Sequence, residues 1–341
     1  MDIADLSATA RAMVAKGKGL LAADESTGTI QKRFDKIGVE NTENNRRDYR
    51  ELLFRSTGAM RDNISGVILY DETIRQKAKD GTPLVKLIQD SGAIPGIKVD
   101  LGAKPLAAFP HETITEGLDG LRERLIEYHK LGARFAKWRA VIDIGAGIPT
   151  YSCLTANCHA LARYAALCQE NDIVPIVEPE VLMDGDHDID RCAEVTEWVL
   201  KQLYSDLYIA RVALEGTVLK PNMVIAGKKC PKQASTEEVA RKTVKVLKAC
   251  VPSVVPGIAF LSGGQSDEEA TAHLNAMTAN YELPWSLTFS YGRALQAAPQ
   301  KAWSGKAENV GAAQAAFAHR ARMNGLATIG KWTPELEKQA A

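Results

Sequence analysis

The chain has 341 residues, with 42 Lys+Arg against 42 Asp+Glu, 45% hydrophobic and 25% charged residues. A formal net charge of zero gives no electrostatic case for nucleic acid or an anionic membrane as the main partner. No apolar run approaches the roughly 18 residues of a membrane span, and Met1-Asp2-Ile3-Ala4-Asp5 lacks the basic and apolar regions of a signal peptide.

Residues 2–17 read as an amphipathic helix. Gly19-Leu20-Leu21-Ala22-Ala23 then runs into Asp24-Glu25-Ser26-Thr27-Gly28, an apolar strand that stops on acidic and hydroxyl residues. Residues 29–63 are polar, basic and mostly helical in pattern. Gly66–Tyr70 and Ile94–Asp100 are the next strand candidates, the second with Lys98 inside it. Leu118 to Leu131 has helical spacing and stops at Gly132. Arg134–Ile142 follows, carrying Lys137 and Arg139 two apart. A helix over 156–170 leads to Ile173–Val177 and then Glu178-Pro179-Glu180. A helix over 190–205 precedes Thr217-Val218-Leu219, which ends on Lys220-Pro221. Capping boxes at Ser235–Glu238 and Ser266–Glu269 start two more helices. Between these boxes lies Gly257–Leu261, which ends on Ser262-Gly263-Gly264. The last candidate strand, Trp285–Arg293, comes before helical stretches and a polar tail at about 300–341.

These eight strand candidates recur roughly every 30–45 residues between helical patterns, which predicts an α/β fold of the (β/α)8 TIM-barrel type. A doubly wound open sheet would call for a phosphate-binding glycine loop after the first strand, and none is there. No repeat, low-complexity block or linker interrupts residues 1–341, so a single domain is expected. Its N-terminal helix and C-terminal helical tail region flank the barrel.

Seven of the eight strands end on polar or charged residues, and in a barrel those ends converge on one face. Lys220 is the centre of this set. Pro221 holds it extended at the tip of a buried strand, an unusual place for a lysine. A lysine amine attacks a ketone to give a carbinolamine and then an iminium, which lets the adjacent C–C bond break or form. Lys137 and Arg139 are cations that could depress the amine pKa. Glu178 or Glu180 could serve as general acid, and Asp24 as base for a hydroxyl. Ser262-Gly263-Gly264 before a capped helix is a candidate anion nest, with Arg293 as a charge-assisted fork. Lys32, Arg33 and Lys98 could hold a second anion. Two anion sites flanking a lysine suit a bisphosphorylated keto sugar.

The six cysteines form no C-x-x-C pair and read as free thiols of a reducing cytoplasm. The six histidines show no ligand spacing, so no metal is expected. Asp184–Asp190 alternates acids like a calcium loop, but lacks the glycine and the final glutamate of one. It reads as a solvated turn.

With these residues in hand, the chain resembles class I fructose-1,6-bisphosphate aldolases. The resemblance is carried by Leu21–Gly28, Gly96–Asp100, Phe135–Arg139, Ile173–Glu180, Asp184–Asp188, Leu214–Met223, Phe260–Ser266 and Thr288–Leu295, in order along the chain to about residue 325. It implies reversible cleavage of fructose 1,6-bisphosphate to dihydroxyacetone phosphate and glyceraldehyde 3-phosphate, without metal or other cofactor, in a cytoplasmic homotetramer. It implies Lys220 as the Schiff-base residue, Glu178 as the main general acid/base and Asp24 at the C4 hydroxyl. Lys137 would support developing charges, with Glu180 and Arg139 tuning the group. Ser262, Gly263 and Arg293 would hold the phosphate beside the keto carbon, and Gly264, Ser290 and Gly292 count with the substrate-binding set. Ser26, Lys98, Lys32 and Arg33 would lie toward the other phosphate. Thr29 stands where the animal pattern has serine and keeps the hydroxyl. Other Schiff-base enzymes such as transaldolases are the nearest alternative, and the paired anion sites argue against them. The animal enzymes end in a mobile tail with a terminal tyrosine. Here the sequence stops at Lys338-Gln339-Ala340-Ala341, and the last tyrosine is Tyr291.

Overall fold

The computed structural model describes residues 2–338. Eight parallel strands close into a barrel: β1 (Gly19–Ala23), β2 (Ile64–Leu69), β3 (Ile94–Lys98), β4 (Phe135–Ile142), β5 (Val174–Val181), β6 (Val218–Leu219), β7 (Gly257–Phe260) and β8 (Ser286–Tyr291). Each strand pairs with the next in the chain. Closure comes from β1 against β8, with Leu20 opposite Ser290 and Leu21 opposite Tyr291. The strand order rules out the open doubly wound sheet.

Side-chain alternation along each strand divides the apolar residues between two cores. Leu20, Ala22, Ile68, Phe135, Val174, Ile176, Val218 and Ala259 point into the barrel. Leu6, Ala10 and Met13, from helix Ile3–Met13, pack into the same cluster and plug the barrel at one end. The other parity, including Leu21, Ala23, Ala136, Trp138, Val177 and Leu219, faces the surrounding helices. Strand β3 needs Gly96 because a Cβ there would lie 2.2 Å from the Phe135 ring.

Several elements differ from expectation at their ends. The first helix stops at Met13, and Gly17 takes a left-handed φ of 80° before β1. The helix expected from Leu118 begins at Leu121, because Gly120 is left-handed. The stretch 29–63 becomes three helices, Thr27–Asp35, Glu43–Phe54 and Thr57–Asn63. Strand β5 runs on through Glu178-Pro179-Glu180 to Val181. Strand β6 is only two residues long, yet the Lys220 N–H still donates to the Val177 carbonyl at 2.9 Å and continues the ladder. An antiparallel hairpin, Ala103–Pro105 with Thr113–Thr115, was not foreseen, since three-residue strands carry no readable alternation.

After β8 come helices Arg293–Trp303 and Val310–Ala327 and the short turn Pro334–Lys338. The last residues named in the tail, Gln339 to Ala341, lie outside the described residues. All six cysteines are free thiols, four of them buried. No described helix is long and apolar enough to cross a membrane.

Candidate active site

The parity that fills the barrel interior also builds the site. Following the inward positions toward the strand C-termini, Leu20 and Ala22 lead to Asp24, and Phe135 leads to Lys137 and Arg139. Val174 and Ile176 lead to Glu178 and Glu180, and Val218 leads to Lys220. On these four strands the last apolar inner residue is thus followed, two positions on, by a polar one at the same mouth. Lys137, Glu178 and Lys220 are 5%, 3% and 5% exposed. Side chains this enclosed and charged are tolerated because they are paired.

Glu178 stands between the two lysines. Its Oε1 is 3.3 Å from Lys220 Nζ and its Oε2 is 3.5 Å from Lys137 Nζ. Lys137 Nζ also lies 2.7 Å from Asp24 Oδ2. The result is a chain Asp24–Lys137–Glu178–Lys220 across strands β1, β4, β5 and β6. A carboxylate thus stands between Lys220 and Lys137, one of the two cations expected to depress its pKa. Arg139 Nε donates to Glu180 Oε2. Burial alone pushes the Asp24 carboxyl up, but Lys137, Lys220 and Lys98 outweigh it and hold the group well below the usual carboxylate range. Glu178 is lowered in the same way: burial opposes, and Lys220, Lys137 and Arg139 prevail. Burial disfavours the Lys137 ammonium, yet Asp24, Glu178 and Asp100 hold its pKa above the ordinary lysine value.

Asp24, Lys137, Arg139, Glu180 and Lys220 open onto a cavity of about 230 Å³, whereas Glu178, between the two lysines, is not part of its wall. Ser262, Gly263, Ser290, Gly292 and Arg293 line one side of it, at the ends of β7 and β8, and Ser26, Thr29, Arg33 and Lys98 line the rest with the lysine group. Gly264 lies beyond the wall, behind Gly263. Its φ of 79° and a virtual Cβ 2.2 Å from Met183 Cγ require glycine to turn the loop. The Ser290 hydroxyl is buried without a hydrogen-bond partner among the described residues. Ser26 Oγ and Thr29 Oγ1 are 3.1 Å apart. Arg33 sits at the seam between β1 and β8, since a Cβ on Gly292 would be 3.5 Å from Arg33 Nη2. Lys32, one residue before it, is exposed and does not line the cavity.

Sequence reasoning missed the residues that hold the cavity cations. Glu25 Oε1 accepts from Arg33 Nη1, and from Gln296 Nε2 at 2.7 Å. Arg50, fully buried, donates to the Glu25 carbonyl at 2.9 Å. Asp100 Oδ1 is 3.6 Å from Lys98 Nζ, and Asp267 Oδ1 is 2.8 Å from Arg293 Nη1. Asp100 was findable, being two positions beyond Lys98. Arg50, Gln296 and Asp267 come from helices and leave no sequence signal. The Asp184–Asp190 stretch forms ordinary caps and ion pairs. Asp188 accepts from the Arg191 N–H at 2.8 Å to cap helix Ile189–Ile209, and Asp184 pairs with Lys228 at 3.0 Å.

Comparison with known proteins agrees with this geometry. The family model described as fructose-bisphosphate aldolase class-I matches residues 5–341. A probable fructose-bisphosphate aldolase class 1 of Xanthomonas campestris pv. campestris is 62% identical over 97% of this chain and 99% of its own. The cytosolic fructose-bisphosphate aldolase 5 of Arabidopsis thaliana is 57% identical, covering 96% of this chain and 92% of that one. The fructose-bisphosphate aldolase of Plasmodium falciparum, solved in complex with TRAP and a small-molecule inhibitor, superposes with a TM-score of 0.96 at 50% identity, covering 97% of this chain and 96% of that one. A buried strand-tip lysine bridged to a buried glutamate inside a closed barrel, and matches spanning nearly the whole chain, lead to one conclusion: the chain belongs to the class I fructose-bisphosphate aldolase family.

Proposed function

We propose that this cavity cleaves fructose 1,6-bisphosphate reversibly to dihydroxyacetone phosphate and glyceraldehyde 3-phosphate, with Lys220 as the covalent residue. The observation that carries the reading is the contact of Lys220 Nζ with Glu178 Oε1 at 3.3 Å, in a site where both side chains are almost wholly enclosed. Glu178 is within reach of the proton that the amine sheds on attacking the keto carbon. It can then return a proton to the carbinolamine hydroxyl so that water leaves. Asp24 takes the C4 hydroxyl proton, the C3–C4 bond breaks, and its electrons move into the iminium to give an enamine. Glyceraldehyde 3-phosphate departs, the enamine is protonated, and hydrolysis frees dihydroxyacetone phosphate and the amine. Lys137, between Asp24 and Glu178, stabilises the negative charge that passes from one to the other. Arg139 and Glu180 orient this group.

Ser262, Gly263, Ser290, Gly292 and Arg293 bind the phosphate beside the keto carbon. Ser26, Thr29, Arg33 and Lys98 bind the other, with Lys32 and Gly264 supporting from outside the cavity wall. The substrate carbonyl carbon and Lys220 supply the electron sink, so the proposal assigns no metal or other cofactor. Activity retained in a chelator tests that part. A single-domain, cytoplasmic homotetramer that acts away from membranes and nucleic acid completes the reading, and light scattering tests the assembly.

The test of the chemistry is borohydride reduction in the presence of dihydroxyacetone phosphate, followed by peptide mass mapping. The expected adduct is on Lys220. A reduced adduct on another lysine, or none, removes the mechanism.

A further inference from the structure

Every arginine that lines the cavity is already bound to a carboxylate: Arg33 to Glu25, Arg139 to Glu180 and Arg293 to Asp267. The three carboxylates differ in what would follow if their arginine left. Glu25 and Glu180 side chains are 4% and 8% exposed, so separation would strand a buried charge. Asp267 is 24% exposed and is not part of the cavity wall. It sits in the first turn of helix Asp267–Asn280, whose N-terminus carries the Ser266–Glu269 capping box. A free Asp267 would therefore keep both water and a favourable helix dipole. Of the three pairs, this one opens most readily.

Arg293 is otherwise fixed to the loop it helps to form. Its Nη2 donates to the Gln265 carbonyl and lies 3.5 Å from the Ser262 carbonyl, while Nη1 reaches Asp267. Among the described residues the guanidinium thus has one anionic partner, and that partner stands outside the cavity wall.

We propose that Asp267 is a built-in competitor of the substrate phosphate for Arg293, and that it sets how tightly phosphorylated ligands are held. The inference rests on the reading of the Ser262–Arg293 corner as a phosphate site. A phosphate monoester brings nearly two charges and three acceptor oxygens, so it displaces a single carboxylate that is partly open to water. Asp267 weakens that binding by the free energy of the pair it gives up. Its purpose in catalysis is release: the same phosphate must leave with the product.

The test compares wild-type enzyme with Asp267→Asn, Asp267→Glu, Arg293→Met and the double variant Asp267→Asn/Arg293→Met. The readouts are competitive inhibition by inorganic phosphate, and KM and kcat for the bisphosphate. Asp267→Asn should lower both the inhibition constant and KM, by up to about fivefold for a pair this exposed, without raising kcat. Asp267→Glu should stay near wild type. The effect of Asp267→Asn should vanish in the Arg293→Met background. A higher KM in Asp267→Asn would mean that Asp267 orients Arg293 productively, and would overturn the inference. So would an unchanged inhibition constant, or a shift that persists without Arg293. Arg293→Met leaving phosphate inhibition untouched would instead sink the phosphate-site reading itself, and the competitor role with it.

Discussion

Glu178→Gln is the most informative single change. In the wild-type chain Glu178 lies 3.3 Å from Lys220 and 3.5 Å from Lys137, and Asp24 lies 2.7 Å from Lys137. Two lysines share two carboxylates, all within 3–9% exposure. An amide at 178 keeps the shape but leaves Asp24 as the one carboxylate of this group, closest to Lys137. Lys220 then loses its one acid partner among the described residues. Breaking a buried pair in this way costs about 3–5 kcal/mol, far beyond the median surface pair. Lys220→Met alone leaves Glu178 with Lys137 and Arg139 nearby, and costs less. The double variant Glu178→Gln/Lys220→Met removes one charge of each sign and leaves the Asp24–Lys137 pair intact. It should be more stable than Glu178→Gln alone, with a coupling of about 1–3 kcal/mol. Urea midpoints of the four proteins give the cycle. In the cleavage assay Glu178→Gln should lower kcat by roughly 10²–10⁴, the usual loss on removing a positioned acid/base. Because Lys220→Met removes the nucleophile, the double variant should be no slower than Lys220→Met. Additive stability losses, or a Glu178→Gln enzyme within tenfold of wild type, would refute the reasoning.

Gly264→Ala forces a side chain into a left-handed backbone and against Met183, at about 1–2 kcal/mol for the backbone alone, so KM for the bisphosphate should rise tenfold or more. Gly58→Ala, in helix Thr57–Asn63 with open space around it, should instead stabilise the chain by about 0.4–1 kcal/mol in urea titration. Glu25→Gln takes the counter-charge from Arg33 and the buried Arg50 and should cost about 3–5 kcal/mol, whereas Asp62→Asn in the exposed Arg61 pair should leave the urea midpoint unchanged. The Asp24 and Glu178 carboxyls are held low in the folded chain. Their stabilisation is therefore complete above the unfolded value near 4 and is lost as pH falls through the folded values. Lys137 is raised, so its contribution is complete below about 10.4 and is lost as pH rises through its folded value. Asp24→Asn should flatten the acid limb of a urea-midpoint profile. Burial pushes His273 down to about 4, so folded stability should also decline between pH 6.5 and 4, and ring NMR shifts should show a neutral imidazole at pH 6.

The barrel was legible because parallel strands buried on both faces are short apolar runs, and each run here is closed by a polar residue. Gly19–Ala23 and Gly257–Phe260 fall within a residue of the expected spans. Boundaries failed where tertiary contacts override local signals. Val174–Val181 continues through Pro179 because the neighbouring strand β4 is equally long, with Ala140 opposite Pro179 and Val141 opposite Glu180. A parallel strand loses a single donor to proline, and the ladder survives it. The hairpin at Ala103–Pro105 and Thr113–Thr115 owes its existence to what it covers: Thr115 Oγ1 donates to the Arg139 carbonyl at 2.7 Å, and Thr113 Oγ1 to the Val141 carbonyl at 3.2 Å. Such contacts exist only once strand β4 is in place.

The site shows the same division more sharply. Period-two alternation fixes which residues point inward, so Asp24, Lys137, Glu178 and Lys220 were all readable as one face. Which of them touch is a matter of register between strands, and one sequence holds no record of that. Arg139 is opposite Glu178 in the β4–β5 ladder, yet Arg139 pairs with Glu180 while Glu178 reaches Lys137 and Lys220. On the β4 side the contacts are thus offset from the ladder, as tilted barrel strands allow, whereas on the β6 side they follow it: Ile176 is opposite Val218 and Val177 opposite Leu219, which brings Glu178 level with Lys220. The proton path between carboxylate and amine is therefore a product of the β5–β6 register, and a shift of strand β6 by two residues would abolish it without altering a single catalytic side chain.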